Sequence, residues 1–248
     1  LEGAAKAASL YSDVPVINAG DGGHMHPTQT VTDLTTLTRL RGGVDGLSIG
    51  LCGDLKNGRT VHSLIKALAH FRDIRFFLIA PRELAIPEYL RQFMREQGMP
   101  FVEVAGLEAV IPQLDVLYMT RIQQERFHDP LEYARSKGIY VLTRGKLARA
   151  KADLLVMHPL PRVDEVSVDV DDDPRAAYFQ QARFGMFARM ALLADLANQP
   201  RIAPDPVEIG KAPLCHNPNC ITQTQLYLPP LVKQNGGGAC CAFCDAPL

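Results

Sequence analysis

The sequence lacks a basic excess, long apolar runs, internal repeats and low-complexity segments. Lysine and arginine together number 26 and aspartate and glutamate 27, so the formal net charge is −1. A near-neutral chain excludes a broad nucleic-acid-binding surface, which needs a clear excess of positive charge. No apolar run approaches the length of a membrane span, and no secretory signal peptide is evident. We therefore expect a cytoplasmic protein that binds neither nucleic acid nor membranes.

Cysteine is scarce until the end of the chain. Cys52 precedes a segment, residues 215–248, that holds the other five cysteines. Such clustering without a secretion signal is typical of a metal site rather than of disulfides. Two short chelating pairs, Cys215-x4-Cys220 and Cys241-x2-Cys244, predict a closed tetrahedral site for structural Zn²⁺. Cys240 is the spare thiol and is an alternative to Cys241 in a slightly longer pair.

Two other functions for this cysteine segment fit its sequence less well. A nucleic-acid-binding zinc ribbon needs several basic residues to bind phosphates, but Lys233 is the only basic residue between Cys220 and Cys241. A redox role for Cys241-x2-Cys244 needs a strand before the motif and a helix starting at it. We therefore interpret the segment as a structural module.

Short apolar segments alternate with amphipathic segments of helical length over most of the chain. The predicted strands are Leu47–Leu51, Arg75–Ala80, Phe101–Val104, Val116–Thr120, Tyr140–Leu142 and Leu154–Met157. The predicted helices are Thr28–Leu40, Thr60–Phe71, Glu83–Gln97 and Tyr178–Ala197. Continuous apolar strands alternating with helices predict an α/β fold, a doubly wound parallel sheet covered on both faces.

Arginines and a rigid turn follow three of the predicted strands. Arg59 lies in the loop after the first strand, Arg121 directly after the fourth, and a proline-rich corner, residues 158–165, after the last. Ligands of open parallel sheets bind beyond the carboxyl ends of the strands. Because arginine matches a carboxylate or phosphate with two parallel hydrogen bonds, this edge predicts a site for a small polyanion. The alternative is that each arginine pairs with a surface carboxylate.

The segment Gly53–Thr60 has the pattern G-x-x-x-x-G-R-T, one residue from a phosphate-binding P-loop. That loop needs a compact lysine ammonium where Arg59 stands, and a planar guanidinium is not equivalent. The spacing of Gly50, Gly53 and Gly58 also departs from the dinucleotide fingerprint. Neither a nucleotide hydrolase nor a dinucleotide cofactor is therefore predicted.

His26 precedes Pro27 and opens a predicted helix. The positive end of the helix dipole lowers the pKa of a histidine there, which favours a neutral imidazole that still donates a hydrogen bond. We therefore take His26 as a candidate functional residue. His24, His62, His70 and His128 have no such context and are interpreted as surface or packing residues.

Four motifs together resemble the aspartate carbamoyltransferase family. They are His26-Pro27-Thr28-Gln29-Thr30, the segment Gly53–Ser63, Tyr118-Met119-Thr120-Arg121, and His158-Pro159-Leu160-Pro161-Arg162. The similarity runs from Leu1 to about Pro200. Related ornithine carbamoyltransferases usually carry a cysteine after the histidine of the last motif, so Pro159 indicates aspartate as the acceptor.

The resemblance implies transfer of the carbamoyl group of carbamoyl phosphate to L-aspartate, a step of pyrimidine biosynthesis that uses no catalytic cofactor. It implies that His26, Gln29 and Arg59 are the catalytic residues, with His26 at the carbamoyl oxygen. It places Gln29 and the backbone carbonyls of Pro159 and Leu160 at the carbamoyl nitrogen. It assigns the aspartate carboxylates to Arg59, Arg121 and Gln123. It also makes Leu160–Pro161 a candidate cis peptide.

The chain departs from the family at its start. The family's phosphate-binding signature, Ser-Thr-Arg-Thr, is absent from the printed sequence. The opening segment, residues 1–6, has the pattern of a helix interior. We therefore expect a fragment that is inactive alone, within a family whose members form trimers or larger assemblies. The predicted parts are a remnant of the carbamoyl-phosphate-binding domain (1–41), an aspartate-binding domain (42–177), a helix (178–199), a linker (200–213) and a zinc module (214–248).

The cysteine segment, with Cys215-x-Asn217-x-Asn219-Cys220-Ile221, resembles the zinc module of the family's regulatory chain. That module binds the catalytic chain, so the resemblance implies a catalytic–regulatory fusion. Two alternatives stay open. One is a non-catalytic, zinc-stabilised scaffold that keeps the fold, and the other is a carbamoyltransferase of the ornithine type.

Overall fold

The structure, a computed structural model, describes residues 1–122, 140–199, 213–235 and 238–248. The chain divides into two compact units. The first comprises Leu1–Thr28 and Arg189–Leu248, and the second comprises Gln29–Ala188. The five-part division predicted from the sequence stays a prediction. None of the described helices is long and apolar enough to cross a membrane.

Five parallel strands form one sheet in the described part of the second unit. They are β1 (Ser48–Cys52), β2 (Arg75–Ile79), β3 (Phe101–Val104), β4 (Val116–Met119) and β5 (Leu155–Met157). Their order is β3-β2-β1-β4-β5, and each neighbouring pair is parallel. The prediction of an α/β fold with a doubly wound parallel sheet is confirmed.

Helices connect and cover these strands. Along the chain the described helices are α1 (Ala4–Leu10), which belongs to the first unit, then α2 (Pro27–Arg41), α3 (Arg59–Leu68), α4 (Glu88–Glu96), α5 (Arg144–Leu147) and α6 (Tyr178–Asn198). The predicted apolar stripe of α3 is buried, with Val61, Leu64, Ile65 and Leu68 inside. Alternate strand residues enter opposite cores, since Phe76 and Tyr118 lie in one apolar cluster and Phe77 and Leu117 in the other. This alternation is what a sheet covered on both faces requires.

The strand order defines where a ligand crevice should lie. From β1 the chain proceeds through β2 to β3 on one side, then returns to place β4 and β5 on the other side of β1. The order therefore reverses between β1 and β4. In open α/β sheets, ligands bind at the carboxyl ends of the strands at such a reversal.

The strand predicted at Tyr140–Leu142 is wrong. Leu142 forms only an isolated bridge with Val166, and its backbone bonds instead to Glu165 and Ser167. The position beside β5 is taken by residues 175–177, whose backbone pairs with Val156 at 2.8 and 2.9 Å. Residues 140–142 were correctly predicted to be largely buried, but residues 175–177 occupy the position next to β5.

The helix predicted over Glu83–Gln97 begins later, at Glu88. Pro87 stands at its N-cap in an extended conformation, and a residue that precedes proline is disfavoured in the helical region. Residues Arg82–Leu84 form only a short 3₁₀ turn before it. The proline therefore divides the predicted helix into two pieces.

The first unit joins the start of the chain to the cysteine segment. The antiparallel hairpin β6 (Val232–Asn235) and β7 (Gly238–Cys241) belongs to it. The N–H of Glu2 donates to the carbonyl of Asn219, and the N–H of Ile221 donates to the carbonyl of Glu2, both at 2.9 Å. A shared apolar cluster includes Ala7, Ile221, Leu228, Leu231 and Phe243. The two ends of the described chain therefore fold around one core.

His24 lies between two carboxylates of this first unit. Its Nδ1 is 3.0 Å from Asp21 Oδ2 and its Nε2 is 3.1 Å from Asp245 Oδ2. Burial alone would lower the pKa of His24, but the two carboxylates outweigh burial and raise the pKa to about 9. Lys233 forms an ion pair with the other oxygen of Asp245. His24 is therefore an ion-pairing residue of the unit, which its sequence context did not indicate.

We predict that His24→Gln destabilises the first unit most at acidic and neutral pH. Because the folded pKa of about 9 exceeds the ordinary histidine pKa of 6.5, the stabilisation is complete below pH 6.5 and is lost as pH rises through 9. The cost should be on the order of 2–3 kcal/mol at low pH. Urea unfolding from about pH 6 to about pH 10 measures it. His70→Gln, at an exposed position, is the control, and a pH-independent difference for His24→Gln would contradict the prediction.

Candidate functional site

The loops that follow β1, β4 and β5 begin at the same edge of the sheet. Cys52, the last residue of β1, pairs with Met119, the last residue of β4. Tyr118 in turn pairs with Met157, the last residue of β5. The strands end level with one another, so the loop to Arg59, the residue Arg121 and the proline-rich corner leave the sheet side by side. This edge contains the reversal between β1 and β4.

The loop from β1 to Arg59 is held by side chains beneath it. The carboxylate of Asp54, which is buried, accepts from the backbone N–H of Asn57 at 2.9 Å. The Nε2 of His62 lies 2.8 Å from the carbonyl of Leu55, and because a carbonyl only accepts, His62 is the donor. Its Nδ1 lies 3.0 Å from the hydroxyl of Tyr89, within hydrogen-bond distance. These contacts fix the start of α3, where Arg59 is the first residue.

Gly53 brings the ends of β1 and β4 into close contact. Its φ is +119°, and a Cβ at this position would lie 2.4 Å from the carbonyl oxygen of Thr120. Thr120 donates its backbone N–H and its hydroxyl to the carbonyl of Cys52, at 2.8 and 3.0 Å. Only glycine fits at position 53, and the contact sets how closely the Arg59 and Arg121 loops approach.

The proline-rich corner contains an unusual backbone. Leu160 has a φ of +52°, and the Leu160–Pro161 peptide is cis, as predicted. The N–H of Leu160 donates to His158 Nδ1 at 2.8 Å, and His158 Nε2 lies 2.7 Å from Glu165 Oε1. His158 and Glu165 are both buried, whereas Pro159 and Leu160 are partly exposed. The corner therefore presents its backbone above a buried polar pair.

Arg162, the arginine of this corner, has a structural partner. Its guanidinium forms two hydrogen bonds with Asp171, and Tyr178 also bonds to both groups. The hydrogen bond from Arg162 and the one from Tyr178, opposed by burial, lower the pKa of Asp171. Arg162 is thus committed to an ion pair, and Arg59 and Arg121 are the arginines of this edge that we carry forward as candidates.

A buried carboxylate, Asp33, connects the parts of the second unit that surround this edge. Asp33 is fully buried and accepts from Gln29 Nε2 at 2.8 Å and from Gln181 Nε2 at 2.7 Å. It also accepts from the hydroxyl of Tyr118 at 2.9 Å. Burial, and then the neighbouring Asp33 charge, raise the pKa of Tyr118 well above its usual value, so this hydroxyl keeps its proton. The other end of the Gln181 amide accepts from the backbone N–H of His158 at 2.9 Å.

Asp33, Gln181 and the ring of His158 were missed as site residues from the sequence. Asp33 lies four residues after Gln29, so the two share one face of α2, and that spacing was a usable signal. The sequence contained no such signal for Gln181, because it is 148 residues from Asp33.

The predicted site residues do not all fall in one unit. Gln29, Arg59, Arg121, Pro159 and Leu160 belong to the second unit, whereas His26 belongs to the first. His26 directly precedes α2, as predicted, with its Nδ1 3.5 Å from the hydroxyl of Thr28. Gln123, like His128, lies outside the described residues. The roles assigned to all of these residues stay predictions.

Four cysteines of the first unit come together. The sulfur atoms of Cys215, Cys220, Cys241 and Cys244 all lie within 4.8 Å of one another, and the four residues are buried. The Cys215–Cys244 and Cys220–Cys241 sulfur distances are 3.6 and 3.9 Å. A tetrahedral zinc site with Zn–S bonds of about 2.3 Å needs sulfur separations of about 3.8 Å. The arrangement therefore fits a tetrahedral metal ion, and Cys241 rather than Cys240 completes the group.

Two sequence profiles of one family match the chain. The profile described as aspartate/ornithine carbamoyltransferase, Asp/Orn binding domain, matches residues 45–196, which is more than half of the chain. The profile described as the carbamoyl-P binding domain of the same proteins matches residues 2–39. The chain belongs to the aspartate/ornithine carbamoyltransferase family. Neither matched range reaches the cysteine segment.

Relatives in this family are similar over most of the chain. The aspartate carbamoyltransferase catalytic subunit of Clostridium novyi (strain NT) is 60% identical over 193 residues, which are 78% of this chain and 63% of that protein. The subunit of Clostridium botulinum (strain Eklund 17B / Type B) is 58% identical over 196 residues, 79% of this chain and 64% of that protein. The chain thus spans less than two thirds of the length of these relatives.

Solved structures of the family share the fold. The catalytic subunit of M. jannaschii aspartate transcarbamoylase superposes with a TM-score of 0.74 and 46% identity, covering 81% of this chain and 66% of that one. Aspartate transcarbamoylase from Trypanosoma cruzi, in complex with N-(phosphonacetyl)-L-aspartic acid, gives a TM-score of 0.70 and 43% identity. It covers 76% of this chain and 61% of that one.

We predict that Gly53→Ala destabilises the second unit much more than Gly98→Ala. Both glycines have positive φ, but a Cβ at Gly98 meets no atom within 4 Å, whereas one at Gly53 meets the Thr120 carbonyl. Backbone strain alone should cost about 1–2 kcal/mol at Gly98 and about 1–3 kcal/mol at Gly53, whose φ of +119° lies beyond the left-handed helical region. The Gly53 clash should add at least about 2 kcal/mol. Urea unfolding of both variants measures the difference. Equal destabilisation would show that the β1–β4 contact is not restrictive.

Proposed function

We propose that this chain carries the aspartate-binding part of an aspartate carbamoyltransferase. The proposed reaction transfers the carbamoyl group of carbamoyl phosphate to the amine of L-aspartate, giving N-carbamoyl-L-aspartate and phosphate, as a step of pyrimidine biosynthesis. The observation that carries the proposal is the meeting of the Arg59 loop, Arg121 and the corner at the carboxyl edge of the sheet, at the reversal between β1 and β4.

The residues at this edge match the charge of the proposed acceptor. L-Aspartate has two carboxylates, and each suits the paired N–H groups of a guanidinium such as those of Arg59 and Arg121. We propose that Gln123 assists them. The names of the relatives and of the solved structures, which include complexes with carbamoyl phosphate and aspartate, support the same substrates.

We propose that the carbamoyl group is held by amide and carbonyl groups. Gln29 and the backbone carbonyls of Pro159 and Leu160 would bind the carbamoyl nitrogen, and His26 would donate to the carbamoyl oxygen as negative charge develops on it. Removal of one such oxyanion donor typically costs about 3–4 kcal/mol of transition-state stabilisation. The amine of aspartate attacks directly, so this scheme needs positioning and electrostatics but no covalent intermediate.

Two alternatives are separated from this proposal by ligand binding. A scaffold that keeps the fold without catalysis would bind neither substrate, and an ornithine-type enzyme would bind L-ornithine instead of L-aspartate. Pro159, which stands where ornithine enzymes usually carry cysteine, favours aspartate. We also propose, from the family alone, assembly as a homotrimer or larger oligomer, which the mass of the protein in solution would test.

We predict that the chain binds N-(phosphonacetyl)-L-aspartate and L-aspartate but not L-ornithine in calorimetry. Arg121→Ala should weaken binding by about 10- to 100-fold, because a hydrogen-bonded charge pair contributes roughly 1.5–3 kcal/mol. Arg82→Ala is the matched control, since Arg82 follows β2, away from the reversal, and is exposed. No binding by the unaltered chain, or equal loss in the two variants, would contradict the proposed function.

We further propose that Cys215, Cys220, Cys241 and Cys244 hold a structural Zn²⁺ in a module of the regulatory-chain type. Four thiolates around one ion leave no open position, so the ion would stabilise the first unit rather than take part in the reaction. The proposal rests on the sulfur positions and on the preference of zinc for thiolate ligands.

We predict about one zinc ion per chain in protein purified without chelator. Cys241→Ser should lose the metal and the thermal stability of the first unit, because serine is a poor zinc ligand. Cys240→Ser should retain both, since Cys240 lies outside the sulfur group. Metal analysis and thermal unfolding measure the outcome. Absence of zinc from the unaltered chain, or metal loss in Cys240→Ser, would overturn the assignment.

A further inference from the structure

The imidazole of His158 has a defined tautomer, because its two neighbours have fixed hydrogen-bonding roles. A backbone N–H can only donate, so the Nδ1 that Leu160 N contacts at 2.8 Å must be the acceptor. The proton of the neutral ring is then on Nε2, which donates to Glu165 Oε1 at 2.7 Å. The ring therefore connects a buried carboxylate to one particular peptide N–H of the corner.

Glu165 is placed to keep the ring in this state. It is buried, and its second oxygen accepts from the N–H groups of Val163 and Asp164 at 3.2 Å. Burial would raise the pKa of Glu165, but the hydrogen bond from His158 and those from the backbone outweigh it and lower the pKa. An ionised carboxylate accepts and does not donate, so it selects the Nε2–H form of His158.

The hydrogen bond between Leu160 N and His158 Nδ1 holds a residue whose backbone conformation is rare. Leu160 has a φ of +52°, in the left-handed region, which is unfavourable for a leucine and persists only where the surroundings impose it. The hydrogen bond to His158 Nδ1 closes a turn between residues 158 and 160. The backbone N–H of His158 donates to Gln181 Oε1 at 2.9 Å, so hydrogen bonds hold the turn at both of its ends.

We infer that His158 is a positioning residue that holds the Pro159–Leu160 peptide, to which the Leu160 N–H belongs, so that the Pro159 carbonyl faces the carbamoyl group. This inference rests on the proposed function, which places the Pro159 and Leu160 carbonyls at the carbamoyl nitrogen. It assigns separate tasks to the two ring nitrogens. Nδ1 orients the Pro159–Leu160 peptide, and Nε2 orients the ring against Glu165. His158 itself touches no substrate.

Two substitutions separate these tasks. In His158→Asn, the amide Oδ1 takes the place of Nδ1 and can still accept from Leu160 N, as asparagine does in an Asx turn. In His158→Gln, the amide Nε2 takes the place of the ring Nε2 and can still donate to Glu165. Both variants remove the aromatic ring from the same buried position, so a purely structural role for His158 predicts similar losses from both.

Calorimetry with N-(phosphonacetyl)-L-aspartate on the full chain measures the effect, with thermal unfolding of each variant as the second readout. We expect His158→Asn to bind within about threefold of the unaltered chain and His158→Gln to bind at least about tenfold more weakly, with similar unfolding temperatures. Equal losses in the two variants, or losses that follow the unfolding temperature, would overturn the inference.

A spectroscopic test needs no substitution. In ¹⁵N-labelled unaltered chain, the His158 shifts should show an unprotonated Nδ1 and a protonated Nε2, and a proton on Nδ1 would overturn the inference. These experiments distinguish failure of the proposed function from failure of the inference about His158. No binding by the unaltered chain contradicts the proposed function and the inference with it. Normal binding by the unaltered chain with equal losses in both variants contradicts the inference alone.

Discussion

The buried carboxylate of Asp33 is the interaction on which the second unit depends. Hydrogen-bond donors to it come from α2, β4 and α6, three elements that are distant in sequence. A buried carboxylate that loses a partner is destabilised by several kcal/mol, so each donor must stay in place. The same contacts orient Gln29, and through Gln181 they reach the backbone of His158. The requirement to satisfy one buried charge thus aligns both sides of the proposed carbamoyl site.

The order of the strands in the sheet positions the loops that carry Arg59 and Arg121. Parallel strands that end level place their following loops together, and the reversal between β1 and β4 opens a crevice there. Gly53 lets the two loops approach at the Thr120 carbonyl, which brings the Arg59 and Arg121 segments to the same edge. A rigid sheet edge positions charged groups more accurately than an isolated loop does, which is what recognition of a dicarboxylate requires.

Local sequence patterns predicted most of the strands and helices. Features that depend on contacts between residues distant in sequence could not be predicted from those patterns. The strands β1, β2, β4 and β5 were found because buried parallel strands are largely continuous apolar segments. The strand predicted at Tyr140–Leu142 failed because residues 175–177 occupy the position beside β5. The Gln181–Asp33 contact depends on the packing of α6 and has no local signal. The choice between Cys240 and Cys241 was open in the sequence. It is decided by β7, where adjacent residues point to opposite faces and only one reaches the sulfur group.

The central claim is that the carboxyl edge of the sheet at β1, β4 and β5 binds L-aspartate. Titration of ¹⁵N-labelled chain with L-aspartate, followed by NMR, tests it most directly. The account predicts saturable shifts of the Arg59 and Arg121 side-chain Nε–H signals and of backbone amides at Gly53, Thr120 and Leu160. Amides at the opposite edge of the sheet, such as Ser48 and Val116, should not move. Shifts at that opposite edge, or no saturable shifts at all, would contradict the account.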